Sequence, residues 1–187
     1  MLVREAGNGS RWLSNLASGS VVNALLPLGN GFVVPSEQNA SPLLVGGGVG
    51  IAPLVLLAKT FFKNGIKPNV LIGGRTGGQL LEVDVMKQYG NVFITTEDGS
   101  VGTKGLVTES NVCDEPHSIV YCCGPLPMMK AIGKICRSKN VPCYVSLENT
   151  MACGIGACLC CVEKTVKGNK CVCTDGPVFN IDELTWH

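Results

Sequence analysis

The chain has 187 residues, 45% of them hydrophobic and 16% charged, with a formal net charge of +1, which suits one domain of ordinary size plus a smaller module. Its 15 basic and 14 acidic residues are scattered, so no cationic face exists to neutralise a run of phosphates, and nucleic acid is not an expected partner. No apolar run approaches the roughly 18 residues of a membrane span, and the start, MLVREAGNGSRW, lacks the apolar centre of a signal peptide; a soluble protein of the cytoplasm, with no membrane partner, is expected.

Gly7-Asn8-Gly9-Ser10 reads as a turn, and GSVVNALLPLGNGFVV at 19–34 alternates apolar with small residues between Gly and Pro, which predicts one or two β-strands. This stretch is too short to be a domain of its own. From Pro42 onward short apolar runs alternate with segments of helical period, the pattern of a parallel sheet with crossover helices. Strands are predicted at Leu43–Val45, Asn69–Ile72, Val92–Thr95, Ser118–Cys122 and Cys143–Ser146, and helices at Ala52–Asn64, Leu80–Gln88, Lys104–Glu109 and Pro127–Ser138. After Glu148 the alternation stops and glycine and cysteine dominate. Three regions follow: 1–41, 42–147 and 148–187.

Several predicted strand ends carry loop chemistry, and ligands of open α/β sheets bind at that edge. Gly46, Gly47, Gly48 and Gly50 lie between the first strand of the sheet and its helix, where side-chain-free backbone can approach a diphosphate and the helix start adds a favourable dipole. A tight turn with no ligand is the competing reading. Gly73-Gly74-Arg75-Thr76 follows the second strand, and Cys123-Gly124-Pro125 ends the fourth. Glu97-Asp98-Gly99-Ser100 ends the third, and a solvated turn explains it as well as a site does. His117, ahead of a strand, is assigned no role, and Met128 and Met129 fit helix core.

All 11 cysteines fall between Cys113 and Cys173, an odd number in one part of the chain, which suits reduced thiols and a metal centre better than a disulfide framework. The spacing Cys153-x4-Cys158-x2-Cys161, followed by a distant cysteine, is that of plant-type [2Fe–2S] proteins. Gly154 and Gly156 let the loop point N–H groups at sulfur. A zinc ribbon needs two close CxxC pairs, whereas the distant pair here is CxC. Spacing favours Cys161 over Cys160 and leaves the fourth ligand open between Cys171 and Cys173.

GGGVGIAP at 46–53, GGRT at 73–76, EDGS at 97–100, CGPLPMM at 123–129, SLENTMACGIGACLCC at 146–161 and CTDGPVF at 173–179 together resemble, in order and over most of the chain, the electron-transfer subunits of class 1B dihydroorotate dehydrogenases, within the ferredoxin–NADP reductase superfamily. The resemblance implies an α/β ferredoxin-reductase-like NAD-binding domain with a five-stranded parallel sheet at 42–147. It would be preceded by the last part of a FAD-binding β-barrel at 1–41 and followed by a small [2Fe–2S] module at 148–187. It implies FAD, NAD and one cluster as cofactors, with Cys153, Cys158, Cys161 and Cys173 as the cluster ligands. Gly46 to Gly50, Arg75 and Thr76 would face NAD, Cys123, Gly124 and Pro125 would lie near the nicotinamide, and Gly7, Gly9 and Ser10 would hold a FAD phosphate. The implied partner is an FMN-containing catalytic subunit, in a heterotetramer of two of each, working in pyrimidine biosynthesis. No general base is expected in this chain. The rival readings are an NAD(P)H reductase serving another acceptor and a cluster-only scaffold without flavin; preference between NAD and NADP is open.

Overall fold

The computed structural model describes residues 2–35 and 40–186. The elements run α1 (Asn8–Ser14), β1 (Pro42–Gly47), α2 (Ile51–Lys63), β2 (Asn69–Gly74), α3 (Val83–Lys87), β3 (Asn91–Thr96), β4 (Thr103–Lys104), β5 (Ile119–Cys123), α4 (Leu126–Ser138), β6 (Cys143–Ser146), β7 (Val162–Thr165), β8 (Gly168–Cys171) and β9 (Val178–Asn180). One sheet of order β4-β3-β2-β1-β5-β6-β9 carries the fold, and β7 and β8 form a separate hairpin. The five expected strands are there and parallel. Two-residue β4 extends one edge in parallel, and β9 joins β6 antiparallel on the other.

Each face of the sheet has its own core. In α2, Ile51, Leu54, Leu57, Ala58 and Phe61 recur at helical spacing and are buried, while Leu56 and Phe62 face out. They pack with Leu44, Val70, Ile72 and Tyr121 on one face. On the other face α4 brings Met129, Ile132 and Cys136 against Val45, Leu71, Cys122 and Val145. Burying each large side chain of this kind contributes about 1.5–3 kcal/mol. Among the described residues no helix is long and apolar enough to cross a membrane.

Two expected elements differ. The segment 104–109 is not a helix: Gly105 takes φ 132° and donates its N–H to Thr96, which leaves β4 on one side and a single 3-10 turn, Val107–Glu109, on the other. The strands expected within 19–34 do not form either. That stretch has one isolated bridge, Asn30 to Pro177; with no neighbouring strand its backbone cannot build a ladder, and Val21 and Leu26 stand 92% and 79% exposed. Gly7 to Ser10 is the capped first turn of α1, the Ser10 hydroxyl accepting the N–H groups of Ala6 and Gly7 at 2.8 and 3.0 Å.

The cysteine-rich tail shares its core with the sheet. Val172, Phe179, Ile181, Leu184 and Trp186 are buried in the cluster that contains Cys143, Val145 and Ile132. Arg137, on the last turn of α4, donates to the carbonyls of Ile181 and Trp186 and pairs with Asp182 at 3.3 Å. Arg137→Ala leaves two partly buried carbonyls without their charged donor and is expected to cost about 1–3 kcal/mol. The measurement is a lowered thermal midpoint together with faster proteolysis beyond residue 180; an unchanged midpoint contradicts the clamp.

Candidate functional site: a glycine-floored cleft and a paired-cysteine loop

The C-terminal ends of β1, β2, β3 and β5 open onto one cleft of about 660 Å³, bordered by Gly47 and Gly48, Gly73 to Arg75, Thr95 and Glu97, and Pro125. Between β1 and α2 the chain makes a 3-10 turn, Gly48–Gly50, with Gly48 at φ 54°, a left-handed value that suits glycine. Gly50 answers to a different constraint. A Cβ there would meet the Cys123 carbonyl oxygen at 2.4 Å and Gly124 Cα at 2.7 Å, so its lack of a side chain lets the β1–α2 turn and the β5–α4 turn touch backbone to backbone.

Of the residues singled out in the sequence, Gly47, Gly48, Gly73, Gly74, Arg75, Glu97 and Pro125 border this cleft, as does Met128, which the sequence assigns to helix core. Gly46 and Gly50 are buried behind it, and Thr76 caps the 3-10 turn Gly77–Gln79. Cys123 lies toward the opposite core, with Tyr121 and Tyr144; burial there pushes its thiol up to about 11, against a hydrogen bond with Ser146. The Glu97–Ser100 turn is knit locally. Asp98 accepts the Ser100 N–H at 2.9 Å and its hydroxyl at 2.6 Å, which lowers its carboxyl below the usual range, and Ser100 in turn accepts the Gly77 N–H at 2.8 Å. Arg4, Thr95 and the Gly105–Thr108 strap border the cleft as well. Sequence reading missed all three, since Thr95 and the strap reach the cleft through strand order and Arg4 reaches it from the stretch before α1, none of them through a motif. His117 Nε2 lies 2.7 Å from the Val112 carbonyl, away from the cleft.

The second feature is the loop 150–161. It has almost no regular structure of its own and is shaped by N–H···S bonds. Cys153 Sγ accepts from Ile155 at 3.5 Å and Cys158 at 3.4 Å, Cys173 Sγ from Gly156 at 3.2 Å, and Cys161 Sγ from Cys173 at 3.4 Å. Gly154 and Gly156 turn the chain at φ 73° and 77°, and Leu159 turns it again at φ 57°. The donors hold the Cys153 thiol down to about 6 and lower that of Cys161. The β7–β8 hairpin, in which Val162 pairs Cys171, brings Cys161 back beside Cys173.

Backbone bonds join the cysteines two by two: Cys158 donates its N–H to Cys153 Sγ and Cys173 its N–H to Cys161 Sγ, each at 3.4 Å. Among the described residues no three such groups converge on one point. Two thiolate pairs fit two irons with two thiolates each, whereas a tetrahedral zinc site needs all four at one centre. Cys171 Sγ receives no backbone N–H among the described residues, and the N–H of Cys171 is taken by Asp175 at 2.9 Å. Cys160 is exposed. Beside Gly7 and Gly9 a Cβ would meet nothing within 4 Å, and the N–H groups of Ala6 and Gly7 are taken by the Ser10 hydroxyl.

Comparison with known proteins follows the same division. The family described as the iron-sulfur cluster binding domain of dihydroorotate dehydrogenase B matches residues 148–185, and the oxidoreductase NAD-binding domain matches 44–134. A relative from Fusobacterium nucleatum is 41% identical over 96% of this chain and 71% of its own length, and one from Clostridium acetobutylicum is 44% identical over 95% and 70%. Both are named dihydroorotate dehydrogenase B (NAD(+)), electron transfer subunit. A solved NADH-dependent reduced ferredoxin-NADP oxidoreductase superposes with a TM-score of 0.86 at 33% identity, covering 98% of this chain and 67% of the other.

Gly50→Ala is expected to force the two turns apart, lowering stability by about 1–3 kcal/mol and NADH affinity about tenfold or more, since 1.4 kcal/mol is a factor of ten. Gly48→Ala meets no protein atom within 4 Å, so its stability loss is expected to be the backbone cost alone, about 1 kcal/mol. Thermal melts of the two variants check the order of stability, and equal losses would contradict it; NADH titration of Gly50→Ala checks its loss of affinity.

Proposed function

Since this chain belongs to the family of dihydroorotate dehydrogenase B (NAD+) electron-transfer subunits, we propose that it carries electrons between NAD+ and a partner catalytic subunit that oxidises dihydroorotate. The finer reading is that the partner holds FMN, that two copies of each subunit form a heterotetramer, and that the complex works in the cytoplasm in pyrimidine biosynthesis.

The observation that carries the reading is the pair of thiol pairs inside a loop of N–H donors, fastened to the same sheet whose ends form the dinucleotide cleft. Cys153, Cys158, Cys161 and Cys173 would hold the [2Fe–2S] cluster, which supplies one-electron transfer when bound. Gly7, Gly9 and Ser10 would take a FAD phosphate, and FAD supplies the link between one-electron transfer and two-electron hydride exchange with NAD. Gly47 and Gly48 would lie under the NAD diphosphate, with Gly46 and Gly50 keeping the turn tight. Arg75 and Thr76 would serve the adenosine side, and Cys123, Gly124 and Pro125 the nicotinamide side. The regions 1–41, 42–147 and 148–187 would correspond to flavin, dinucleotide and cluster binding. No side chain here needs to act as a base, since the chain's task is to position redox groups and exclude water around them.

The surface around the cluster loop supports a partner. Met151, Ile155 and Leu159 are 45%, 62% and 63% exposed, and Leu25 and Leu28 reach Gly154 from the N-terminal stretch. An apolar rim of this kind around an electron port marks a docking face. A second reading, a reductase serving a different acceptor, is favoured by the likeness to the NADH-dependent reduced ferredoxin-NADP oxidoreductase; the dihydroorotate oxidation assay below separates the two.

The test is anaerobic co-purification with a dihydroorotate dehydrogenase catalytic subunit, followed by iron, sulfide and released-flavin analysis and by NAD+-dependent oxidation of dihydroorotate. Two irons, two sulfides and FAD per chain, with that activity, are the expected result. Iron and sulfide without FAD point to a cluster scaffold, and zinc in place of iron defeats the reading. Cys173→Ser is expected to lose the cluster absorption and Cys171→Ser to keep it; the reverse pattern makes Cys171 the ligand.

A further inference from the structure

Among the polar groups of the cleft that the functional reading leaves without a task, one is fully buried. Thr95, near the end of β3, is 1% exposed, and its hydroxyl has no hydrogen-bond partner among the described residues. Its neighbour Thr96 provides the contrast. Equally buried, Thr96 donates its hydroxyl to the Val101 carbonyl at 2.8 Å and accepts the Val101 N–H at 3.2 Å. A buried hydroxyl left alone is a cost to folding, and the sheet does not require one here, because valine offers the same branched shape.

The register fixes where that hydroxyl stands. Gly47 pairs with Gly73, and Gly73 with Thr95, so these positions form one row on one face of the sheet. Two glycines leave the row bare except for Thr95. A Cβ placed on Gly73 would lie 3.6 Å from Thr95 Oγ1 and 2.3 Å from Val107 Cγ1. The hydroxyl therefore adjoins the space over Gly73, and Val107, on the Gly105–Thr108 strap, shares that space. Gly47, Gly73, Thr95 and Val107 all border the cleft.

Resting on the reading of this cleft as the NAD site, we infer that Thr95 is a binding residue for the adenosine half of the dinucleotide, its hydroxyl hydrogen-bonding the ribose or the adenine edge as Val107 turns aside. The placement follows from the order of strands. With the diphosphate at the end of β1 and the nicotinamide toward β5, the other half of the molecule must cross β2 and β3, where Thr95 stands. The hydroxyl is then an unmet group in the free protein and a satisfied one in the complex, so the ligand relieves a cost that folding leaves in place.

The experiment uses the full chain assembled with its catalytic partner and three probes: NADH, ADP-ribose and nicotinamide mononucleotide. Thr95→Val is expected to weaken NADH and ADP-ribose by about three- to tenfold, with nicotinamide mononucleotide unaffected and the loss falling on KM for NAD+ more than on kcat. Removing the orphan hydroxyl is also expected to raise the thermal midpoint of the unliganded protein by about 2–4 °C. Thr95→Ser keeps the hydroxyl and is expected to hold ADP-ribose within about twofold. A valine variant that binds ADP-ribose normally, loses nicotinamide mononucleotide equally, or melts lower than the unsubstituted protein overturns the inference, the last because it assigns Thr95 a structural role. If the unsubstituted protein binds no NADH, the functional reading fails and this inference with it, an outcome separate from the others.

Discussion

The addition of β9 to β6 is the contact on which the rest of the structure depends. The segment after Glu148 is too short to bury a core of its own. Its apolar residues are instead half of a core whose other half is the α4 face of the sheet: Phe179, Ile181 and Leu184 lie with Val145, Cys143 and Ile132. The β9 ladder, in which Val145 faces Phe179, and the Arg137 bonds to the last turn join the two halves. A cysteine loop hung on a flexible linker would let its distance from the dinucleotide cleft vary. Here the loop is tied at both ends, through β6 before it and β9 after it, to the sheet that carries the cleft, and the spacing between loop and cleft becomes a property of the fold.

The same economy holds at the other end of the strands. Gly50 lets the turns after β1 and β5 meet, and the bare row of Gly47 and Gly73 keeps a floor on which a flat or flexible ligand can lie. These positions trade packing for access. Stability is recovered behind them, where Leu44, Tyr121 and Phe61 close the second core and the Tyr121 hydroxyl donates to the Val33 carbonyl at 2.6 Å. That last bond ties the N-terminal stretch to the sheet, and the Asn30 side chain ties it to the cluster module through the carbonyls of Thr174 and Asp175.

What could be read in the sequence is what local spacing encodes. The five parallel strands, α2 and α4 follow from apolar period, and the cysteine loop follows from x4 and x2 gaps. Three kinds of feature stayed hidden. The 104–109 segment has helical composition, but Gly105 in a left-side backbone conformation breaks it, and nothing local distinguishes that glycine from any other. β9 is three residues long, below the length at which alternation can be recognised. Thr95 looks like any strand threonine until the register sets it beside Gly73. The strands expected within 19–34 failed for a related reason: alternation predicts a strand only where a second strand exists to accept it.

That failed prediction bears on how the molecule assembles. Leu25 and Leu28 lie against Gly154 of the cluster loop, and Val21, Leu25, Leu26, Ile155 and Leu159 all stand exposed. Apolar side chains gathered on one side of a molecule gain free energy only when another surface covers them. The cluster loop is stiffened by N–H···S bonds and by the hairpin behind it, so this face can be covered without losing the loop's shape. Under the proposed electron-transfer role, the exposed Ile155 and Leu159 and the neighbouring Leu25 and Leu28 are the apolar area that docking at the cluster loop would bury.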